Sequence, residues 1–313
     1  MAAVCGFAQS ADDSTFALAL PSHAGQLHWE AHGFAAVESS AKPGGSEIGI
    51  RAKDGTGRLS FLGFLFLVPE EAPLSSVKCR EGALESEKRN NPSLKIQMTS
   101  EIAGSNGLPV ALVSYTAQGP GRKMAYVVRG FVATSDICGD LEFYSDTPIT
   151  AEDPDLNKIF QSYHFDPNYV PQFNDVFLYA QILYQHQMFK AAAPIFEQAL
   201  AKIPDDNAHG TMRRVTTDQA GMAYGIAGNV PRARALFEMA IAKDPDYPLY
   251  YYNLACADAE ENKLADARIH LQQAFARKAN VIPGEAMPDP TKDDSFLPYR
   301  DNKDFWGFIE SLR

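Results

Sequence analysis

The sequence has few cysteines and tryptophans, and it has no excess of positive charge. Its 313 residues include four cysteines and two tryptophans, and the formal net charge is −11. A protein that binds nucleic acid usually presents a basic face, so this charge argues against a nucleic-acid partner. No C-x-x-C pair occurs in the chain, which excludes zinc ribbons and thioredoxin-type redox motifs at the level of sequence.

Long apolar runs are also missing. A membrane-spanning helix needs about 18 or more consecutive apolar residues. The apolar run at 61–68 (FLGFLFLV) is much shorter and is bounded by Pro69, so it is predicted to be a buried strand. The sequence therefore predicts no membrane-spanning segment.

Familiar catalytic motifs are absent too. The chain contains no G-x-S-x-G and no Walker loop, and its glycine turn at 54–57 lacks the following helix that a phosphate-binding loop needs. We therefore predict a protein that is not an enzyme and has no cofactor.

One short stretch carries metal-ligating residue types. His28, Glu30 and His32 alternate in the sequence HWEAH, and on a strand they would share one face. Such side chains suit zinc or copper, but the same alternation is typical of the solvent-facing side of a strand, and no fourth ligand is evident. We predict no metal site and keep these residues as the ligands of an alternative function, a periplasmic ligand- or metal-binding carrier.

The first 13 residues are small and apolar before they turn polar. Residues 6–8 (GFA) are similar to the small-x-small end of a secretory signal whose charged start is missing. An exported protein, periplasmic or secreted, is the expectation. An untargeted N-terminus on a cytoplasmic protein is the alternative.

Two cysteines fall within one predicted domain. Cys79 and Cys138 would form a disulfide if the compartment were oxidising. Two free buried thiols are the alternative, because spacing does not prove a pairing.

Residues 14–165 read as an α+β domain, because short β-rich runs alternate with turn signals. Strands are predicted at 15–20, 26–30, 34–38, 47–52, 58–68, 94–102, 108–117, 124–133 and 137–144. One helix is predicted at 75–89. A second begins at Asp153, which caps it, and Pro154, which suits a first helical turn, and it ends in the sequence SYHF at 162–165.

This order resembles the PsbP-like α/β fold. The antiparallel meander, the helix between early and late strands and the closing helix that ends in Ser162-Tyr163-His164-Phe165 carry the resemblance. That family includes photosystem assembly subunits and small export or import accessory proteins. The resemblance implies an antiparallel sheet with two helices and a non-enzymatic, partner-binding role. Residues 166–172 follow, and their prolines predict a short, stiff linker.

The second half contains a repeat. The pattern G-x2-Y…A-x3-F…P begins at Gly221 and ends at Pro245, and it returns 34 residues later and 41 residues earlier. The equivalent positions are Ala255, Ala267, Leu271 and Ala274 in the later unit, and Ala180, Ala192, Phe196, Ala199 and Pro204 in the earlier one. The longer spacing corresponds to an insertion near residues 207–213.

This pattern is similar to the tetratricopeptide repeat (TPR) family, over about 173–279. The resemblance implies an all-α solenoid of three helix pairs, at about 173–206, 214–247 and 248–281, whose first helices line a concave groove. Residues 280–313 are predicted to form an extended, proline-rich tail and a capping helix that contains Phe305 and Trp306.

The inner face of the first helices supplies the candidate site. By register, the groove residues are Asn174, Phe177, Gln181, Tyr184, Asp218, Met222, Ile226, Leu249, Tyr252 and Glu260. None is lysine or arginine, so a clamp for a C-terminal carboxylate is not expected. The aromatic and flexible side chains favour an apolar helix or extended segment of a partner. The alternative is that the C-terminal tail fills the groove. The sequence thus predicts an adaptor that binds a protein or peptide, with a role in cell-envelope assembly or export.

Overall fold

The computed structural model describes residues 15–68, 74–105, 107–118, 124–134 and 136–312. The predicted signal remnant at 1–13 lies outside these residues. The described chain divides into two compact units, residues 15–182 and residues 183–312. The first is a sheet region and the second is helical. The domain limits derived from the sequence stay predictions.

The first unit is built from antiparallel strands. Those described are β1 (Thr15–Ala19), β2 (Gln26–Glu30), β3 (Phe34–Ala41), β4 (Glu47–Asp54), β5 (Leu59–Leu67), β6 (Lys95–Ala103), β7 (Pro109–Gln118), β8 (Met124–Thr134), β9 (Ile137–Ser145) and β10 (His164–Asp166). They form a three-stranded sheet in the order β1-β2-β10 and a seven-stranded sheet in the order β3-β4-β5-β9-β8-β7-β6. Each predicted strand overlaps an observed one.

The core of this unit is aromatic. Phe61 alternates along β5 with half-buried residues, so its side chain points to the inner face of the larger sheet. There its ring packs against Trp29 and Phe143, with centroids 5.7 and 5.5 Å apart, and Phe160 of the closing helix packs on Phe143 at 5.5 Å. Edge-to-face and tilted contacts of this kind add to the free energy of apolar burial.

Two helices flank the sheets. In α1 (Ser76–Asn90), the N-cap Ser75 accepts a hydrogen bond from the backbone N–H of Lys78. This helix is joined to β9 by a disulfide between Cys79 and Cys138, whose Cα atoms are 6.2 Å apart.

The second helix, α2 (Pro154–Ser162), is shorter than predicted. The sequence prediction that it runs to Phe165 is wrong, because residues 164–166 form β10 and pair with β2, His164 opposite His28. The chain leaves the helix at Tyr163, whose backbone is no longer helical.

The remaining α-helices follow in the second half of the chain. Six of them lie within the repeat: α3 (Phe173–Gln185), α4 (Phe189–Leu200), α5 (Gly210–Ile226), α6 (Val230–Lys243), α7 (Pro248–Glu260) and α8 (Leu264–Ala276). Helix α9 (Lys303–Ser311) lies in the C-terminal tail. The turns after α3, α5 and α7 each contain one residue in the left-handed conformation, at the equivalent position. The φ values are 59° at Gln187, 83° at Gly228 and 58° at Asn262.

The next N–H after each of these residues donates to the carbonyl oxygen five positions earlier. These bonds are Met188 to Leu183, Asn229 to Tyr224 and Lys263 to Asp258, each of 2.8 Å. This is the Schellman arrangement that ends a helix. Its recurrence at the sequence spacings of 41 and 34 agrees with the TPR repeat of the sequence.

A glycine substitution tests this packing. A Cβ at Gly221 on α5 would lie 2.2 Å from the ring of Phe237 on α6, whereas a Cβ at Gly225 would have Ala233 as its nearest neighbour, at 4.0 Å. Gly221→Ala should lower the free energy of unfolding by about 1–3 kcal/mol through overpacking, although alanine is the better helix former by ~1 kcal/mol. Gly225→Ala should leave it unchanged or raise it. Urea unfolding followed by ellipticity at 222 nm measures both, and equal effects would contradict the packing.

Candidate peptide-binding groove

The predicted groove residues belong to both units, and each set is described within its own unit. In the first unit, Asn174 is exposed, and Phe177 and Gln181 are half-buried on α3. The ring of Phe177 stacks on Phe173 one turn earlier, with centroids 5.2 Å apart. This turn of α3 is therefore an aromatic surface with a polar edge.

In the second unit, the open part of the predicted groove lies on α5. Met222 and Ile226 are 37% and 56% exposed, and they stand four residues apart on one face of the helix. Tyr184 is half-buried, and its ring packs edge-on against Phe189 and Phe196, at 5.0 and 6.0 Å. The two α5 side chains thus form an apolar pair that reaches solvent.

Asp218 lies one turn before Met222, and a residue of a neighbouring helix donates a hydrogen bond to it. Its carboxylate accepts a hydrogen bond from the side-chain amide of Asn253 on α7. Burial, aided by the charge of Glu285, raises the pKa of Asp218 to about 7, although the bond from Asn253 acts to lower it. The charge at this point of the groove therefore changes near neutral pH.

The part of the predicted groove on α7 is covered by the C-terminal tail. Leu249 is buried with Ile282, and Tyr252 is only 2% exposed. The hydroxyl of Tyr252 donates to the Asp293 carboxylate at 3.0 Å, and its ring packs on Phe296 with centroids 6.0 Å apart. Leu249 and Tyr252 are therefore covered by the C-terminal tail. Glu260, at the end of α7, is exposed.

The tail is anchored at several points. Tyr247 donates a hydrogen bond to the Glu285 carboxylate at 2.7 Å, and the hydroxyl of Tyr299 donates to the carbonyl oxygen of Ala259. Phe305 and Ile309 on α9 are buried in the same cluster as Tyr252 and Leu271. These contacts close the last repeat. Among the described candidate groove residues of this unit, the exposed apolar ones are Met222 and Ile226 on α5.

The structure does not bring the three metal candidates together into one site. Glu30 is the last residue of β2, so His32 lies beyond the strand, and its Nε2 atom is 3.8 Å from a Glu30 carboxylate oxygen. His28 instead packs against His164 of β10, with ring centroids 4.3 Å apart. Burial lowers the pKa of His28, and His164 lowers it further. Over the described residues, no group of three or more histidine, cysteine or acidic side chains has an arrangement that would hold a metal ion.

Over the described residues, no helix combines the length and the apolar character that crossing a bilayer requires.

No protein-family model matches this chain, and no curated protein matches it. Solved TPR structures are similar to part of it. The TPR domain of Sgt2 from Aspergillus fumigatus is 15% identical, with 46% of this chain and 78% of that chain covered and a TM-score of 0.32. The type III secretion chaperone SycD of Yersinia enterocolitica, in complex with a peptide of the translocator YopD, is 14% identical, with coverage of 44% and 90% and a TM-score of 0.31. PcrH from Pseudomonas aeruginosa is 13% identical, with coverage of 45% and 90% and a TM-score of 0.31. At these TM-scores the likeness says nothing about the partner of this chain.

Proposed function

We propose that this protein is a non-enzymatic adaptor that binds an apolar segment of a partner protein on its TPR helices. In this proposal, residues 173–281 act as three TPR helix pairs, and the α5 side of the groove receives the partner. The first unit, with its PsbP-like order of elements, serves as a second interaction module.

The exposed pair Met222 and Ile226 carries the proposal. By the register of the repeat, this proposal assigns both to the groove face of a TPR solenoid. Both present large apolar side chains to solvent, which supports the assignment. Contiguous apolar surface marks a binding site when it is exposed, and methionine adapts its shape to different partners. The neighbouring α7 face is closed by the tail, so the bound segment would lie along α5.

An oxidising compartment fits the first unit. The disulfide between Cys79 and Cys138 is of the kind that persists outside the reducing cytosol. We therefore place the adaptor in the cell envelope or outside the cell, with a role in envelope assembly or export.

The test uses a variant pair of matched chemistry. Met222→Ser with Ile226→Ser removes the groove pair, whereas Met239→Ser with Ile269→Ser removes side chains that are 54% and 50% exposed on α6 and α8, the second helices of their pairs. A partner captured by the full chain should bind the groove variant at least ~30-fold more weakly, because each buried apolar anchor contributes about 1–2 kcal/mol. It should bind the control variant as it binds the unaltered chain.

Titration calorimetry with the captured partner measures both Kd values. Equal weakening in the two variants would show that general surface hydrophobicity holds the partner. Unchanged affinity in the groove variant would overturn the proposed site.

A further inference from the structure

A strap of the C-terminal tail, residues 282–299, lies over the α7 side of the groove within the second unit. Its regular structure consists of two 3-10 turns, Pro290–Lys292 and Leu297–Tyr299. The backbone N–H groups of Glu285 and Phe296 donate to carbonyl oxygens three residues earlier in the strap itself. Single turns of this kind are marginal on their own, so the strap keeps its shape through its side-chain contacts with α7.

Both ends of the strap are held by contacts that do not involve it. Before the strap, Nδ2 of Asn280 donates to the carbonyl oxygen of Asp246 at 3.1 Å. After it, Nη2 of Arg268 on α8 donates to the Asp304 carboxylate on α9 at 2.6 Å, and the same guanidinium lies 4.7 Å from the ring centroid of Phe308. The strap can therefore leave α7 while α9 stays attached to the last repeat, since a weakly held segment opens without global unfolding.

The surface under the strap consists of hydroxyl donors and aromatic rings. Tyr247, the residue before α7, donates to the Glu285 carboxylate at 2.7 Å. Tyr252 on α7 donates to the Asp293 carboxylate at 3.0 Å, and its ring packs edge-on against Phe296 with centroids 6.0 Å apart. The repeat thus supplies donors and rings, and the strap supplies two carboxylates and a ring three residues after the second one.

The strap also reaches α5, where the exposed apolar pair lies. The charge of Glu285 helps to raise the pKa of Asp218, so the two carboxylates are close enough to interact. Asp218 stands one turn before Met222 on α5. A partner segment that lies along α5 over Met222 and Ile226 therefore meets the strap at Asp218, and it reaches α7 only by taking the place of the strap.

We propose that the strap is an internal competitor for the groove, and that an extended acidic segment of the partner, with a carboxylate followed three residues later by an aromatic ring, displaces it from α7. This inference rests on the proposed function and adds the chemistry of the partner and a regulation of the site. The attached strap has a high effective concentration. The partner offsets this advantage because it also contacts Met222 and Ile226, which the strap leaves exposed.

The test is calorimetric titration of the full chain with a blocked synthetic peptide of the strap sequence, residues 283–299. The strap variant, Glu285→Ala with Asp293→Ala, removes both carboxylates that accept from Tyr247 and Tyr252. Each lost hydrogen bond should shift the equilibrium toward the open strap by about threefold to tenfold. Because the open fraction sets the apparent affinity, the peptide should bind the strap variant at least about tenfold more tightly than the unaltered chain.

Matched controls separate competition from charge. Asp294→Ala with Asp301→Ala removes two exposed acids in or beside the strap and should leave the affinity of the peptide unchanged. A peptide with Asp293→Asn and Phe296→Ala should bind the strap variant at least about tenfold more weakly than the unaltered peptide. Tyr252→Phe, added to the strap variant, should weaken the unaltered peptide about threefold to tenfold, because the hydroxyl donor is lost. Thermal melts show that each variant is folded.

Hydrogen exchange measures displacement without any substitution. Saturating peptide, added to the unaltered chain, should speed deuterium uptake over residues 282–299 of the chain toward the rate of a free segment. Uptake over Pro248–Glu260 should not increase, because the peptide takes the place of the strap on α7. Unchanged uptake over the strap at saturation would contradict displacement.

The captured partner separates this inference from the adaptor function. Binding to the strap variant at least about tenfold more tightly than to the unaltered chain supports the inference. If the partner is weakened by Met222→Ser with Ile226→Ser but binds the strap variant and the unaltered chain equally, the adaptor function stands and the strap is a fixed cap. The inference is also overturned if the peptide gives no saturable binding to the strap variant, or if the two acid-pair variants behave alike.

Discussion

Replacing Asp258 with alanine should lower the free energy of unfolding of the helical unit by about 3–5 kcal/mol. Asp258 is 0% exposed on α7. Its carboxylate accepts hydrogen bonds from Nη2 of Arg234 on α6, at 2.7 Å, and from Nδ1 of His270 on α8, at 2.6 Å. Alanine would leave the partly buried guanidinium with the Glu261 carboxylate and the more distant, exposed Glu238, and it would leave the His270 nitrogen without its acceptor.

The control for this variant removes an exposed partner of the same arginine. Glu238 is 4.0 Å from Arg234 and its side chain is 58% exposed, so Glu238→Ala should cost at most about 0.5 kcal/mol. Urea unfolding followed at 222 nm compares the two variants. Similar small losses would mean that the Asp258 contacts do not stabilise the folded unit.

Asp258 also shows that the repeat specifies the backbone geometry of the turn more closely than the type of side chain. It stands 34 residues after Tyr224, where the middle unit has the signature aromatic residue. Both residues provide the carbonyl oxygen of the same helix-ending bond. The backbone geometry is therefore kept although the side chain at this position changes from aromatic to ionic. This explains why the register was readable although several signature residues differ in the later unit.

Local patterns were sufficient to predict most of the sheet region. Turn signals and alternation on β5, where Phe61 is buried and Leu62 is not, depend only on neighbours in the sequence. β10 was missed because it has three residues and exists only through pairing with β2. His28, which pairs with His164, lies far from it along the chain, and no local sequence pattern predicts such a contact.

The state of the groove was not predictable for a similar reason. Tyr252 has the right position on its helix to line a groove, but it is closed by Asp293 and Phe296, about forty residues later. The proline-rich tail has no periodicity from which its path could be derived. The register assigned Met222 to the groove in the same way as Tyr252, and only the structure shows that Met222 is exposed.

The ion pairs of Arg129 with Asp140 and Glu142 had a signal that sequence reasoning missed. Arg129 interrupts an apolar strand, and Asp140 and Glu142 alternate along the next one. Charged residues inside apolar strands need partners when they are buried. The sequence shows that these charged residues need partners. The β8–β9 register then shows that they are one another's partners.

Removal of the disulfide is the second large expected effect. Cys79→Ala with Cys138→Ala should lower the free energy of unfolding of the first unit by about 4 kcal/mol, because the bond closes a loop with a sequence separation of 59 residues. Both cysteines are buried beside Val113 and Phe131, so alanine keeps the site apolar.

Tryptophan fluorescence can follow the unfolding of the first unit alone. In a Trp306→Phe background, Trp29 is the only tryptophan, and it is fully buried in the first unit. Its urea midpoint should fall in the double variant and under reducing conditions, and it should not move in Cys256→Ala, which removes a free thiol of the other unit. Peptide mapping without reduction should recover Cys79 and Cys138 in one linked product. A midpoint insensitive to reduction, with the two peptides recovered separately, would show that the thiols stay free in the folded protein and would remove the support for an oxidising compartment.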